Sequence, residues 1–146
     1  MTDHPRRRLL QWTLAAGLAP AAASAAVLAE RDARAVRSVI EGQLAAFAAD
    51  NAERAYAYAS AAIRTQFADA ATFMAMVRAG YPMVVRPESV TFFQPRLAEG
   101  VVLQTVQLRD RAGRLWRATY QLEQQAGDGW RINGCEVVAD SGKSLI

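Results

Sequence analysis

Residues 115–124 read LWRATYQLEQ, and from Trp116 onward apolar and polar side chains alternate along them. The apolar members of this stretch are Trp116, Ala118, Tyr120 and Leu122. A period of two predicts a β-strand with one buried face and one wet face. Because the buried face needs a covering layer, we expect the strand to lie in an antiparallel sheet packed against other elements.

Strand-like segments lie on both sides of this stretch. Residues 89–94 and 101–109 are rich in β-branched and apolar side chains, and residues 130–138 form a last predicted strand. Turn residues at 110–113 and 127–129 separate the last three strands. Connections this short imply antiparallel pairing, so the sequence predicts a sheet of about four strands.

The last predicted strand contains a glycine, Gly134. Glycine inside a strand often marks a bulge. We therefore expect Trp130 and Ile132 to point toward the covering layer and Glu136 to point to solvent. Strict alternation would instead place Glu136 on the buried face.

The residues before Pro82 have a helical period. A first predicted helix covers about 32–49, and a second follows Asp50 or Asn51 as N-cap and breaks near Ser60. A third begins at the N-cap Asp69 and should end with Gly80 in the left-handed conformation. Their predicted inward residues are Val36, Ile40, Leu44, Phe47, Tyr56, Ile63, Phe67, Phe73, Met76 and Val77.

Helices followed by strands predict one α+β domain, which we place at residues 30–140, with 141–146 as a flexible tail. The segment 1–29 differs from it. Three arginines precede an uncharged, alanine-rich stretch that ends in small residues, as in an export signal peptide. The pattern of two arginines, any residue and two apolar residues is that of twin-arginine export, and the general secretory route stays open. The signal residues are Arg6, Arg7, Arg8, Ala23 and Ala25.

This signal predicts an exported, periplasmic protein with no membrane span after cleavage. An uncleaved signal that anchors the protein in the membrane is the alternative. The net charge of +3 includes three arginines and one acid of the signal, so its removal leaves about +1. The remaining charges of both signs are interleaved, and we therefore expect no nucleic-acid partner.

The scarcity of histidine and cysteine excludes several chemistries. The one histidine, His4, lies in the signal, and the one cysteine is Cys135. A zinc or copper site and a Ser-His-Asp or Cys-His relay are therefore not expected. No phosphate-binding or dinucleotide glycine motif is present, so we predict no metal and no cofactor. We expect Cys135 to be a buried small hydrophobe.

The chain resembles a bacterial family called domain of unknown function 4864, within the nuclear-transport-factor-2-like (cystatin-like) superfamily. The stretches that carry the resemblance are IEGQLAAF at 40–47, the segment from Phe73 through MVRAGYPMV at 76–84, and GWRING at 129–134. The resemblance implies helices packed in the concave face of a curved antiparallel sheet, as in a cone. The superfamily includes isomerases, dehydratases and binding domains, so the resemblance assigns no activity.

Aromatic residues from both layers could line an apolar ligand pocket in such a cone. The candidate pocket residues are Tyr56, Phe73, Met76, Tyr81, Trp116, Tyr120 and Trp130. The alternative is that these side chains simply fill the core. Arg78 and Arg86 are candidate anion-binding residues beside this pocket, or surface arginines that pack their stems on aromatic rings.

The leading functional interpretation is therefore a binding or interaction module for a small apolar ligand. The second is a small lyase or isomerase with a pocket carboxylate, for which Glu136 is the catalytic candidate. The third is a structural homodimer formed through the sheet. A carboxylate buried near a tyrosine would favour the enzyme, and an aromatic outer sheet face would favour the dimer.

Overall fold

The computed structural model describes residues 28–127 and 129–141. Within these residues, four α-helices precede the strands: α1 (Glu30–Ala48), α2 (Ala52–Ala57), α3 (Ala61–Arg64) and α4 (Ala70–Gly80). A single 3₁₀ turn, Pro82–Val84, leads into the strands β1 (Ser89–Phe92), β2 (Arg96–Ala98), β3 (Val101–Arg109), β4 (Leu115–Gln125) and β5 (Gly129–Ala139). This order confirms the predicted α+β class, with the helices N-terminal to a curved, open antiparallel sheet.

The sheet has five strands, one more than predicted. Its order is β1-β3-β4-β5, and β2 pairs with β3 beside β1. The additional strand, β2, has only three residues and follows Pro95. A segment so short has no measurable period, and proline cannot donate to a strand ladder, so its pairing shows only in three dimensions.

The bulge predicted at Gly134 is confirmed. Gln121 pairs with Gly134 and Leu122 pairs with Ile132, so Asn133 is the extra residue on β5. Trp130 and Ile132 are buried, and Glu136 is exposed, as expected. The bulge resets the alternation, and therefore the residues that face the helices beyond it have odd numbers.

The helix boundaries agree in part with the prediction: α1 begins at Glu30, two residues before the predicted start, and α4 follows its predicted N-cap Asp69. Asp50 adopts a left-handed φ of 56° after α1, and Asn51 rather than Asp50 caps α2. Ser60 caps the separate α3, so the predicted second helix is two helices with a break. The expectation for Gly80 was wrong, because Gly80 is the last residue of α4 and has no positive φ. Pro82, two residues after Gly80, cannot continue the helix, so a glycine terminator is not needed.

The break between α2 and α3 is tied to the edge of the sheet. The Ser60 amide donates to the Ile132 carbonyl over 2.8 Å, and the Ile132 amide donates to the Tyr58 carbonyl over 2.9 Å. These two bonds cover the start of β5 and hold α3 beside the sheet. The core lies between α1, α4 and the inner sheet face, where Val36, Ile40, Val102, Val106, Leu108 and Leu122 are fully buried.

Candidate functional site

A cavity of about 270 Å³ lies between the helices and the inner face of β4 and β5. Apolar side chains form most of its wall, and none of the residues that line it is charged. The lining residues are Gln43, Phe47, Ala59, Ile63, Gln66, Phe67, Phe73, Met76, Val77, Tyr81, Val84, Tyr120, Ile132, Gly134 and Cys135. The volume is close to the lower end of the usual range for small-molecule sites, about 300 Å³.

The cavity has a buried floor and a more exposed rim. The floor consists of Gln43, Phe73, Val77 and Tyr120, which are almost fully buried, and of the partly buried Cys135 beside Tyr120. Ile63, Phe67, Met76 and Tyr81 are half-buried, and Gln66 is exposed. Access to the cavity therefore passes between α3, the loop after it and the end of α4.

Phe73 is the centre of an aromatic cluster that forms one wall of the cavity. The centre of its ring lies 5.5 Å from the ring centre of Tyr56, 5.4 Å from that of Phe67 and 6.2 Å from that of Phe47. The Tyr56 hydroxyl donates to the Arg64 carbonyl over 2.7 Å. Tyr56 thereby holds the end of α3 against α2, although it does not line the cavity itself.

Two of the polar floor residues, Tyr120 and Cys135, are cross-strand neighbours on β4 and β5. Burial raises the pKa of Tyr120 well above its ordinary value, and the neighbouring Cys135 adds to this effect. Burial also raises the pKa of the partly buried Cys135 to about 12. Both groups therefore keep their protons at neutral pH and cannot act as general bases.

Gln43 is the third polar residue of the floor. It projects from α1 and is only 5% exposed. Its Nε2 donates to the Ala55 carbonyl of α2 over 3.1 Å. Because a carbonyl can only accept, the amide nitrogen of Gln43 must be the atom that faces Ala55. The other amide atom, Oε1, is an acceptor.

The structure brings four of the seven predicted pocket residues together: Phe73, Met76, Tyr81 and Tyr120 line the cavity. The other three do not line it. Tyr56 lies behind Phe73, and the Trp116 indole donates to Asp110 over 3.0 Å at the far end of β4. Trp130 is buried in the core, and its indole N–H has no hydrogen-bond partner among the described residues.

Among the lining residues that the sequence did not predict for the pocket, the polar ones are Gln43, Gln66 and Cys135. Gln43 lies one residue before Leu44 in the buried stripe of α1, where a polar residue gives no apolar signal. Cys135 turns inward because the bulge at Asn133 resets the alternation. The bulge predicted at Gly134 itself implies this change, because one extra residue turns the odd-numbered residues after it toward the helices.

A family model described as "Domain of unknown function (DUF4864)" matches residues 29–145. The chain belongs to this family. No curated protein and no solved structure shows significant similarity to the chain. The match confirms the family that the sequence resembles. Of the stretches that carry the resemblance, GWRING at 129–134 forms the start of β5 and contains its bulge.

In this DUF4864 domain, Arg78 and Arg86 lie around a second, shallower cleft of about 390 Å³. The apolar side of this cleft is formed by Pro82, Met83 and Val85. Arg111, in the β3–β4 turn, is a third arginine that lines it. Arg78 is paired with Asp50. The 3₁₀ turn separates the cleft from the apolar cavity, since Val84 lines the cavity and Met83 lines the cleft.

The candidate catalytic residue Glu136 is exposed on the outer face of β5, opposite Thr119 of β4. It is therefore outside the cavity. Across residues 28–127 and 129–141, no group of three or more His, Cys, Asp or Glu side chains could hold a metal ion. In the same part of the chain, no helix combines the length and apolar character that a membrane span needs.

The outer face of the sheet is largely polar. Asp140 accepts hydrogen bonds from Gln107 over 3.1 Å and from Arg117 over 3.2 Å, and its side chain is 7% exposed. The exposed large apolar side chains among the described residues are Phe93 and Val138. They give little support to a dimer formed through an aromatic outer face. The predicted signal residues Arg6, Arg7, Arg8, Ala23 and Ala25 lie outside the described residues.

Proposed function

We propose that this DUF4864 domain is a binding module that holds a small apolar ligand in the cavity between its helices and its sheet. The observation that carries the proposal is the composition of the cavity wall, which is apolar and uncharged. Burial of apolar ligand surface in such a site contributes roughly 25 cal/mol per Å². A general acid–base reaction would instead need a buried group that titrates near neutral pH.

The alternative of a lyase or isomerase has less support. Its catalytic candidate, Glu136, is exposed, and Tyr120 and Cys135 hold their protons at neutral pH. A Glu136→Gln variant should therefore bind ligand as the native protein does. Loss of a measurable isomerase or dehydratase activity in this folded variant would favour the enzyme.

We also propose that the chain is exported to the periplasm with cleavage of its signal, and that the domain is a nuclear-transport-factor-2-like cone. The export proposal rests on Arg6–Arg8 and the uncharged segment after them. Helices packed on one side of a curved antiparallel sheet support the superfamily placement. A cone of this kind offers its interior to a ligand at the end that the helices leave open.

The direct test is titration with N-phenyl-1-naphthylamine, an uncharged dye whose fluorescence rises in apolar sites. We expect saturable binding that Met76→Trp weakens, because Met76 lies on the rim and a larger side chain there narrows the cavity. Met83→Trp is the matched control, because Met83 lines the arginine cleft instead. Equal weakening by both variants, or no saturable binding at all, would refute the proposed site.

A further inference from the structure

We infer that the ligand of the cavity is an electrically neutral amphiphile that carries a hydroxyl-type group on the end that enters first. This inference rests on the proposed function and deepens it by naming the class of ligand. Its basis is the contrast between the floor of the cavity, where uncharged polar groups lie, and the rim, which is mostly apolar.

The Gln43 amide supplies an acceptor at the floor. Its Nε2 is engaged by the Ala55 carbonyl, whereas Oε1 accepts no hydrogen bond from the residues that the structure describes. The residue is more than nine-tenths buried and lines the cavity. A ligand group that donates to Oε1 would form a hydrogen bond inside the cavity, and such a bond contributes about 0.5–1.5 kcal/mol.

Tyr120 supplies a hydroxyl at the same floor. It is 2% exposed, lines the cavity and lies beside the Cys135 thiol. A phenol hydroxyl both donates and accepts, and a thiol is a weak donor. A ligand hydroxyl, which also has both capacities, suits a floor that offers the Gln43 amide oxygen and the Tyr120 hydroxyl beside Cys135.

The ligand should be neutral because no lining residue is charged. A carboxylate or ammonium group carried to the floor would lose its hydration without gaining a counter-ion, which is costly in an apolar site. A hydroxyl loses less hydration and finds partners. The arginines that could neutralise an anion lie across the 3₁₀ turn, in the separate cleft.

The cavity volume limits the ligand size. A volume of about 270 Å³ holds roughly nine groups the size of a water molecule, at about 30 Å³ each. Four probes near this size differ in their polar ends: 1-octanol, octanoate, octylammonium and propylbenzene. Comparison of their dissociation constants by NMR titration at pH 7 separates apolar binding from recognition of the polar group.

We expect 1-octanol to bind at least about tenfold more tightly than octanoate or octylammonium. Tyr120→Phe should weaken 1-octanol binding about fivefold and leave propylbenzene binding unchanged. Gln43→Met should act in the same direction, with thermal unfolding measured because this variant also frees the Ala55 carbonyl. Thr119→Ala, on the opposite face of β4, is the matched control and should bind all four probes as the native protein does.

Octanoate or octylammonium binding as tightly as 1-octanol would overturn the inference and leave the apolar binding site in place. An unchanged preference for 1-octanol over propylbenzene in folded Tyr120→Phe would overturn it as well. If none of the four probes binds, the proposed function itself fails, and the inference fails with it.

Discussion

The Ser60 hydroxyl donates a 2.7 Å hydrogen bond to the side-chain oxygen of Asn133, a residue 73 positions later in the chain. Ser60 is the N-cap of α3, and Asn133 is the extra residue of the β5 bulge. The Asn133 amide in turn donates to Glu123 on β4 over 2.8 Å. This chain of contacts joins a helix start, the bulge and the neighbouring strand, and it holds α3 beside the cavity.

Ser60→Ala should lower the free energy of unfolding by about 1–2 kcal/mol, because the cap to the Ile63 amide and the contact to Asn133 are both lost. Chemical denaturation measures this change. Ser38→Ala, at an exposed position of α1, is the control and should leave the stability nearly unchanged. Equal stability of the two variants would show that the contact with the bulge contributes nothing.

Gly42→Ala should destabilise the protein by about 1–3 kcal/mol. A β-carbon at this position would overlap the Tyr58 hydroxyl oxygen and lie 2.5 Å from the ring carbon that carries it. In an open helix the same change would stabilise by about 0.5–1 kcal/mol, so the sign of the effect reports the close approach.

Gly80→Ala is the matched control for this variant, because no atom lies within 4 Å of a β-carbon at that position. It should be neutral or slightly stabilising in the same thermal unfolding experiment. Replacing Tyr58 with Leu in the Gly42→Ala protein should recover part of the lost stability. A stabilising effect of Gly42→Ala alone would contradict the contact.

The Cys135 thiol should react slowly with iodoacetamide at pH 8.5 in the folded protein and quickly in urea. Thiolate is the reactive form, and the folded protein holds the pKa of this thiol at about 12, whereas an unperturbed cysteine has a pKa of about 8.5. The same difference lowers the folding stability as the pH rises from about 8.5 toward 12, because the unfolded chain loses the proton first. Equal alkylation rates in the folded and unfolded states would contradict the burial of the thiol.

Export should place the protein in the periplasm of a Gram-negative host, with cleavage between about Ala23 and Ala29. N-terminal sequencing of the periplasmic fraction measures both the location and the cleavage site. If the twin-arginine route operates, replacing Arg6 and Arg7 with Lys should retain the precursor inside the cell. Arg8→Lys changes the unconstrained position of the motif and should export normally. If the protein with its native sequence stayed in the cytoplasm at full length, the predicted export signal would be wrong.

Local patterns were sufficient for much of the fold. The alternation along β4 predicts its inner residues, and Ala118, Tyr120 and Leu122 are indeed buried. Asp69 is the N-cap of α4, as its position before an apolar run predicts. Such features depend on residues close together in the chain, so the sequence displays them directly.

The boundary of the cavity depended on contacts between distant residues. Trp116 and Tyr120 share one face of β4, yet Asp110 holds the Trp116 indole at the strand end, and Tyr120 reaches the cavity. The alternation of apolar and polar residues shows which face of the strand points inward. It does not show where the helices leave space above that face.

The sequence by itself therefore determined the class of the fold, the caps Asn51 and Asp69, the strand alternation and the bulge at Gly134. The tertiary structure alone decided that Gln43 and Cys135 meet Tyr120 at one uncharged cavity, that Glu136 lies outside it, and that β2 pairs with β3. The physical reason is that backbone conformation follows from neighbouring side chains, whereas a cavity is a gap in packing between α1, α3, α4, β4 and β5. The shape of the cavity depends on how these elements fit together, and no single segment encodes that fit.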